Sequence, residues 1–446
     1  MEARIKEQSM ERPTSIDLFA GAGGMSLGFE QAGFDVVAAV ELDPVHCAVH
    51  EYNFPHTPVI CRSVAEVKPE EIRDQVGGRQ LDVVFGGPPC QGFSLIGKRL
   101  LDDPRNSLVF HFLRLVSALQ PKYFVMENVK GMAIGRHQQF LQEVIEKFNY
   151  YGYNVVTPYR VLNASYYGVP QHRERLFLLG YHRNVPPLRY PEPRTQPANA
   201  KRRSKALLGL PNSPTVGEAL QDLPQIENYA ELMLEDTVKA EFGEPSEYGA
   251  ILRGLTIDPE NFAYPRQFDR QLLTGSRRTR HTRPSIDRFQ KTQPGQVESI
   301  SRFLRLDPNG ICNTLRAGTP SSRGAFTSPR PIHPHCPRCI TVREAARLHG
   351  YPDWFRCHVT KWHGFRQIGN SVPPLLARSV ARQILKALEV TPTVPQPSIE
   401  LGDSRLLAFT MAEAAARYGV SAHAIPPRLV RRSKKQTTSR TAVTPK

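Results

Sequence analysis

Across its first 180 residues the chain alternates short, almost continuous apolar runs with stretches of helical period. The runs SIDLF (15–19), VVAAVEL (36–42), LDVVFGG (81–87), KYFVMEN (122–128) and RLFLLGY (175–181) read as strands. Between them GMSLGFEQAG (24–33), NSLVFHFLRLVSAL (106–119) and QQFLQEVIEKFNYY (138–151) read as helices. Strands without polar alternation are buried on both faces, which requires helices on both sides of the sheet. The pattern predicts an α/β fold with a doubly wound, mostly parallel sheet. Such a sheet collects ligands at the carboxyl ends of its strands. The residues just after each run are therefore the candidates for chemistry.

After the first run comes DLFAGAGGMSLGF (17–29), which opens a helix. Its glycines permit a tight turn and close approach to a ligand, and a helix N-terminus favours polar or negative groups. The spacing is not the dinucleotide fingerprint, so a nucleotide-type cofactor and a merely tight turn both stand. Glu41 ends the second run, where a carboxylate can accept both hydroxyls of a ribose or cap the next helix. GGPPCQGFS (86–94) places Cys90 after two stiffening prolines at a strand end. Cys90 is either a nucleophile of lowered pKa or a structural thiol. MENVKG (126–131) puts Glu127 at the neighbouring strand end, as an acid facing Cys90 or as a helix cap. In QHRER (171–175), Arg173 and Arg175 lie two apart and share one face of a strand, toward an anion, a polarised carbonyl or solvent.

The chain has 446 residues, 40% of them hydrophobic, enough for two or three domain-sized units and too apolar for general disorder. No run of about 18 apolar residues occurs, so no membrane span is expected. The charged opening residues lack a secretory signal core, and seven scattered Cys do not form a disulfide framework. A cytoplasmic protein is expected. Composition shifts near Tyr181 toward Pro, Arg and polar residues, which marks a second, smaller irregular domain, with a long disordered insertion as the alternative. The expected divisions are 12–182, 183–350, a return segment 351–390, and a linker and basic tail 391–446.

Lys and Arg number 58 against 42 Asp and Glu, a net charge of +16, which suits a polyanionic partner. Between Arg266 and Arg305 stand ten basic residues and three acids, densest in TGSRRTRHTRP (274–284). Arg277, Arg278, Arg280 and Arg283 are thus candidates for nucleic-acid contact. Cys336 and Cys339 in HPHCPRC have zinc-ligand spacing, but no second pair follows, and no metal is expected. TMAEAAARYGVSAHAI (410–425) is similar to a helix–turn–helix fragment, although a single helix packed on the core is the favoured reading.

Taken in order, DLFAGAGGMSLGF, GGPPCQGFS, MENV, QHRER, TVREAARLHGYPD and GNSVPP resemble the cytosine-5 DNA methyltransferase family of bacterial type, over about 15–182 and 312–390. The resemblance implies addition of Cys90 to cytosine C6, with Glu127 at N3 and the exocyclic amine, and Arg175 and Arg173 steadying the O2 side and catalytic loop. It implies S-adenosylmethionine as cofactor, S-adenosylhomocysteine as product and no metal. Phe19, Ala20, Gly21, Gly23 and Gly24 would line the cofactor, Glu41 would hold its ribose, and Pro89, Leu108, Asn370 and Val372 match other cofactor-side positions. One departure stands out: Ser63 occupies the position where the family usually has an adenine-binding Asp. Segment 183–311 corresponds to the target-recognition region, so the implied partner is double-stranded DNA, with the reacting cytosine flipped out under loop 91–106. A monomer is expected, and a separately acting restriction endonuclease is left open. The alternatives are a tRNA cytosine-5 methyltransferase and a catalytically silent DNA-binding protein.

Overall fold

The computed structural model describes residues 12–89, 107–135, 137–199, 207–318, 330–396 and 398–425. Its centre is an eight-stranded sheet. β1 (Thr14–Leu18), β2 (Asp35–Glu41), β3 (Val59–Cys61), β4 (Leu81–Gly86) and β5 (Tyr123–Val129) pair in parallel in the order β3-β2-β1-β4-β5. β6 (Tyr153–Val155) and β7 (Arg160–Asn163) both pair with β8 (Glu174–His182), which lies antiparallel against β5. The expected doubly wound, mostly parallel sheet is present, and it carries an antiparallel end. That reversal shapes the site. Because β8 runs against β5, its first residues sit beside the last residues of β5, and Arg175 pairs with Val129.

α1 (Gly24–Ala32), α2 (Pro44–Asn53), α3 (Pro69–Val76), α4 (Ser107–Leu119) and α5 (His137–Tyr150) connect the strands. On one face, Phe112 of α4 and Phe148 of α5 pack on Phe124 of β5, with Phe148 stacked on Phe124 at 4.0 Å between centroids. On the other, Phe29 of α1 stacks on Phe85 of β4 at 3.8 Å. These rings are buried, so each removes a large apolar area from water, worth about 2–3 kcal/mol.

Beyond β8 regular structure thins. α6 (Val216–Leu220), α7 (Glu247–Leu252) and α8 (Arg283–Lys291) are short, and β9 (Val238–Lys239), β10 (Arg266–Gln267) and β11 (Leu272–Leu273) have two residues each. This region is tied to the rest through charge. Arg347, on α9 (Val342–His349), has no exposed surface and binds Asp222 of the irregular region at 2.9 Å and Asp353 at 2.7 Å. α10 (Lys361–Asn370) and α11 (Pro374–Leu388) then return to the sheet. α11 lies so close on α1 that a Cβ at Gly28 would stand 2.5 Å from Ala377 Cβ and from the Pro374 carbonyl.

The segment after Val390 also builds on the core. β12 (Ile399–Glu400) pairs in parallel with β10, and Leu406 and Leu407 are buried beside Ala48, Val49 and Tyr52 of α2. α12 (Met411–Tyr418) follows and covers α2 through the buried Ala414 and Ala415. Its start is fixed by a capping box between Thr410 and Glu413, its end by Gly419 in the left-handed region. No second helix follows α12 within the described residues to Ile425, so the single packed helix, not a helix–turn–helix, is what forms.

Candidate active site

The carboxyl ends of β1, β2, β4 and β5 open onto one cavity of about 490 Å³. Phe19, Ala20, Gly21 and Gly24 supply its floor from the turn between β1 and α1. This turn is tight: Phe19 has φ 68° and Gly21 φ 56°, so an ordinary side chain is already held in the left-handed region at position 19. Gly23 caps α1 and does not face the cavity; its Cα is pressed on Phe54, where a Cβ would stand 2.3 Å from the ring.

Glu41 lines the cavity from the end of β2. Its carboxylate accepts Gly21 N–H at 2.8 Å and Asp43 N–H at 2.8 Å, one on each oxygen. A carboxylate has about four acceptor positions, so each oxygen keeps a lone pair for a hydroxyl in the cavity. Behind it lies Asp17, buried, accepting from Ser26 Oγ at 2.6 Å, while Ser26 contacts His50 at 3.2 Å. Burial pushes the Asp17 carboxyl up to about 8 against the Ser26 hydrogen bond, and burial draws His50 down to about 3, leaving it neutral.

At the other end stand Glu127 and Arg175. Arg175 Nε donates to Glu127 Oε1 at 2.9 Å, and both side chains are almost buried. Burial raises the Glu127 pKa; Arg175 and then Arg173 pull it down, and burial prevails. A buried acid whose pKa is raised holds its proton more readily and can give it to a ring nitrogen. Gly87 makes room for it, because a Cβ there would stand 2.7 Å from Glu127 Oε2. Asn128 donates to the Pro88 carbonyl at 3.1 Å and so fixes the turn after β4 against the end of β5. Pro89 and Leu108 line the cavity beside that turn. Cys90 and loop 91–106 lie outside the described residues.

Asn370 and Val372 close the cavity from the α10–α11 turn. Arg173 does not face it. Its guanidinium, without exposed surface, donates to the carbonyls of Leu315 at 2.8 Å, Gly369 at 2.8 Å and Ser371 at 2.7 Å. Gln171 meets His349 at 3.0 Å, and His349 meets Ser371 Oγ at 3.1 Å. The QHRER stretch thus divides its work: Gln171 and Arg173 hold the wall in place, and Arg175 reaches the acid. Ser63 does line the cavity, with its hydroxyl turned to Ala65 N–H at 3.3 Å. Asp17, Asn128 and Gly87 were not among the sequence-derived site residues, although all three adjoin strand ends that the apolar runs mark.

The basic stretch lies over the start of α10, where Lys361 Nζ donates to the Arg278 carbonyl at 2.8 Å. Arg280 and Arg283 are exposed, Arg277 and Arg278 half-buried, and Arg283 pairs with Asp287 at 3.1 Å. Among the described residues no group of three or more His, Cys, Asp or Glu converges on a common centre, and no helix is long and apolar enough to cross a membrane.

Residues 14–386 match the family model of the C-5 cytosine-specific DNA methylases, which takes in the sheet, the cavity and the returning helices. The chain belongs to this family. Among curated C-5 methylases and their kin, it is 58% identical to the type II methyltransferase M.XorII of Xanthomonas oryzae pv. oryzae, over 94% of this chain and 95% of that one. It is 33% identical to the type II methyltransferase M1.HphI of Haemophilus parahaemolyticus, over 84% and 87% of the two chains. Among solved structures, a DNA modification methyltransferase encoded within an E. coli prophage superposes with a TM-score of 0.66 at 33% identity, over 85% of this chain and all of that one. The matched span includes the strand-end cavity and the Glu127–Arg175 pair. The enzyme is a DNA (cytosine-5) methyltransferase, and S-adenosylmethionine is the methyl donor that its family uses.

Proposed function

We propose that this enzyme methylates C5 of cytosine within a specific sequence of duplex DNA, through a transient bond between Cys90 and C6 of a flipped-out base. The observation that carries the reading is the buried Glu127–Arg175 pair, standing at the end of the cavity beside the Pro88–Pro89 turn that leads to Cys90.

Cytosine C5 is a poor nucleophile, so it has to be activated by addition at C6. The Cys90 thiolate forms the S–C6 bond while Glu127 gives its proton toward N3, and electron density moves to C5. Arg175 faces the same ring and favours the polarised O2 side. S-adenosylmethionine, when bound, supplies an electrophilic methyl on its sulfonium, and the donor set fits it: Glu41 offers two free lone pairs to a ribose, and the glycine turn admits close approach. Methyl transfer to C5 would release S-adenosylhomocysteine; the C5 proton passes to solvent, the N3 proton returns to Glu127, and expulsion of the Cys90 thiolate restores the ring. Arg173 and Gln171 keep the Asn370–Val372 wall against the cavity throughout.

A base inside a duplex cannot reach this recess, so the target nucleotide has to leave the stack, as the handling of bases by methyltransferases in general requires. Residues 183–311, with Arg277, Arg278, Arg280 and Arg283, supply phosphate contacts and base reading. The relatives are named type II methyltransferases, which supports a modification role; in this reading the chain acts as a monomer on each strand in turn, and a separate endonuclease is left open.

The test is a duplex carrying 5-fluorocytosine, offered with the cofactor. A denaturation-stable adduct on Cys90 is expected, with methyl transfer to duplex DNA and none to tRNA. Cys90→Ser should bind DNA and turn nothing over. An adduct on another side chain, or methylation by the Ser variant, overturns the mechanism; transfer to tRNA alone overturns the substrate.

A further inference from the structure

The cavity has one wall that comes from far outside its own motifs. Ile425, half-buried, lines it together with Leu42, Ser63 and Val64. Residues 399–425 reach it by a built route. Tyr418 Oη and Arg417 Nη2 both donate to Glu51 of α2, at 2.7 and 2.5 Å. From Glu51 back to Pro44 is seven residues of α2, about 10 Å of helix, and the chain from Gly419 to Ile425 covers that span easily. It arrives at the N-terminus of α2, where Asp43 and His46 also line the cavity.

The position of Glu41 says which part of a ligand lies there. An acid ending the second strand of such a sheet takes the ribose hydroxyls, so a base attached to that ribose lies against the adjoining wall of the cavity, away from the glycine turn. Leu42, Ser63 and Val64 stand on that side, at the ends of β2 and β3. Among the described residues no carboxylate faces that side to take an exocyclic amine: Ser63 offers a hydroxyl that accepts Ala65 N–H, and Arg62, which also lines the cavity, is drawn to Glu71 at 2.7 Å. Leu42 is 38% exposed, an apolar group open at the rim. A purine held at such a place depends on apolar cover of its faces.

We propose that the segment 399–425 forms part of the cofactor site, with Ile425 packing on the adenine and substituting apolar contact for the acid that Ser63 lacks. The inference rests on the cofactor reading above and extends it. Ile425 touches only the base, so its removal weakens ligands that carry adenine and spares those that do not.

The experiment is calorimetric titration of the full chain with S-adenosylhomocysteine and with S-ribosylhomocysteine, which has the same sugar and amino acid and no base. Ile425→Ala should weaken S-adenosylhomocysteine by about five- to tenfold, the loss expected for a few partly buried methylenes, and Ile425→Asp more, with S-ribosylhomocysteine unchanged in both. Thermal melting of the free variants should match the parent, since the side chain sits at the cavity rim. Equal affinity of variant and parent for S-adenosylhomocysteine, or equal losses for both ligands, overturns the role of Ile425 and leaves the cofactor reading intact. No binding of S-adenosylhomocysteine by the unaltered chain overturns both.

Discussion

Arg175 and Glu127 meet at 2.9 Å from neighbouring strands that run in opposite directions. The acid ends one strand and the cation begins the other, so no linker or loop has to bring them together. Burial and the guanidinium act on the same carboxyl in opposite senses. Removing Arg175 leaves only Arg173 to oppose burial and raises the Glu127 pKa further. If the protonated acid is the active form, activity persists below that pKa and is lost above it. Arg175→Ala should therefore lower kcat and move the alkaline limb of its pH profile to higher pH. Arg175→Lys should keep the limb closer to the parent. A profile that does not move separates Glu127 from the proton transfer.

Gly87→Ala forces a methyl group against Glu127 Oε2. The carboxyl has to swing away, and a displacement of this kind costs about 10²-fold in rate. Affinity for S-adenosylhomocysteine should change little, since Glu41 is untouched. Single-turnover methyl transfer and ligand titration on the same variant check both halves.

Asp17 makes stability depend on pH. Its carboxyl is pushed up to about 8 in the folded chain against an ordinary 3.8. Between those values only the folded state holds the proton, so stability declines as pH rises from about 4 to about 8. Asp17→Asn removes the titration. The variant should gain on the parent in Tm as pH is raised from about 5 to about 9, and a constant difference across that range sinks the assignment.

Arg347→Met leaves Asp222 and Asp353 facing each other without their shared cation. Breaking a buried pair from one side costs about 3–5 kcal/mol. Denaturant unfolding of the variant measures it, and a loss below about 1 kcal/mol would mean that Arg253 and Arg343, 3.5 and 3.4 Å from the two acids, already balance their charge.

Arg280→Ala and Arg283→Ala test the basic stretch. Each lost phosphate contact should reduce the slope of log affinity against log salt by about 0.9, evenly across DNA sequences. A variant that changes sequence preference and not the slope would mark a base-reading residue.

Part of the site is legible in the residues alone. Glu41 and Glu127 end apolar runs, so the rule that ligands gather at strand ends picks them out, and both line the cavity. The direction of β8 is not legible, because an apolar run reads the same both ways. β3 gives no signal: Val59–Cys61 has three residues and only Cys61 is buried, too short for a periodic pattern. Arg173 and Arg175 share a face by spacing, yet one is held by three carbonyls and the other by an acid. Those carbonyls come from residues 315, 369 and 371, and nothing local in QHRER announces them. Ile425 carries no signal at all, being one apolar residue near a basic tail.

The wall formed by Asn370 and Val372 has a consequence for synthesis. It packs directly on the end of the glycine turn, where a Cβ at Gly24 would stand 2.7 Å from the Val372 carbonyl, yet it leaves the ribosome long after that turn. A nascent or prematurely terminated polypeptide ending before Val372 would possess the turn, Glu41 and Glu127 and still have an open-sided recess. Partial translation products that stop before Val372 are therefore expected to lack a closed recess and to be inactive.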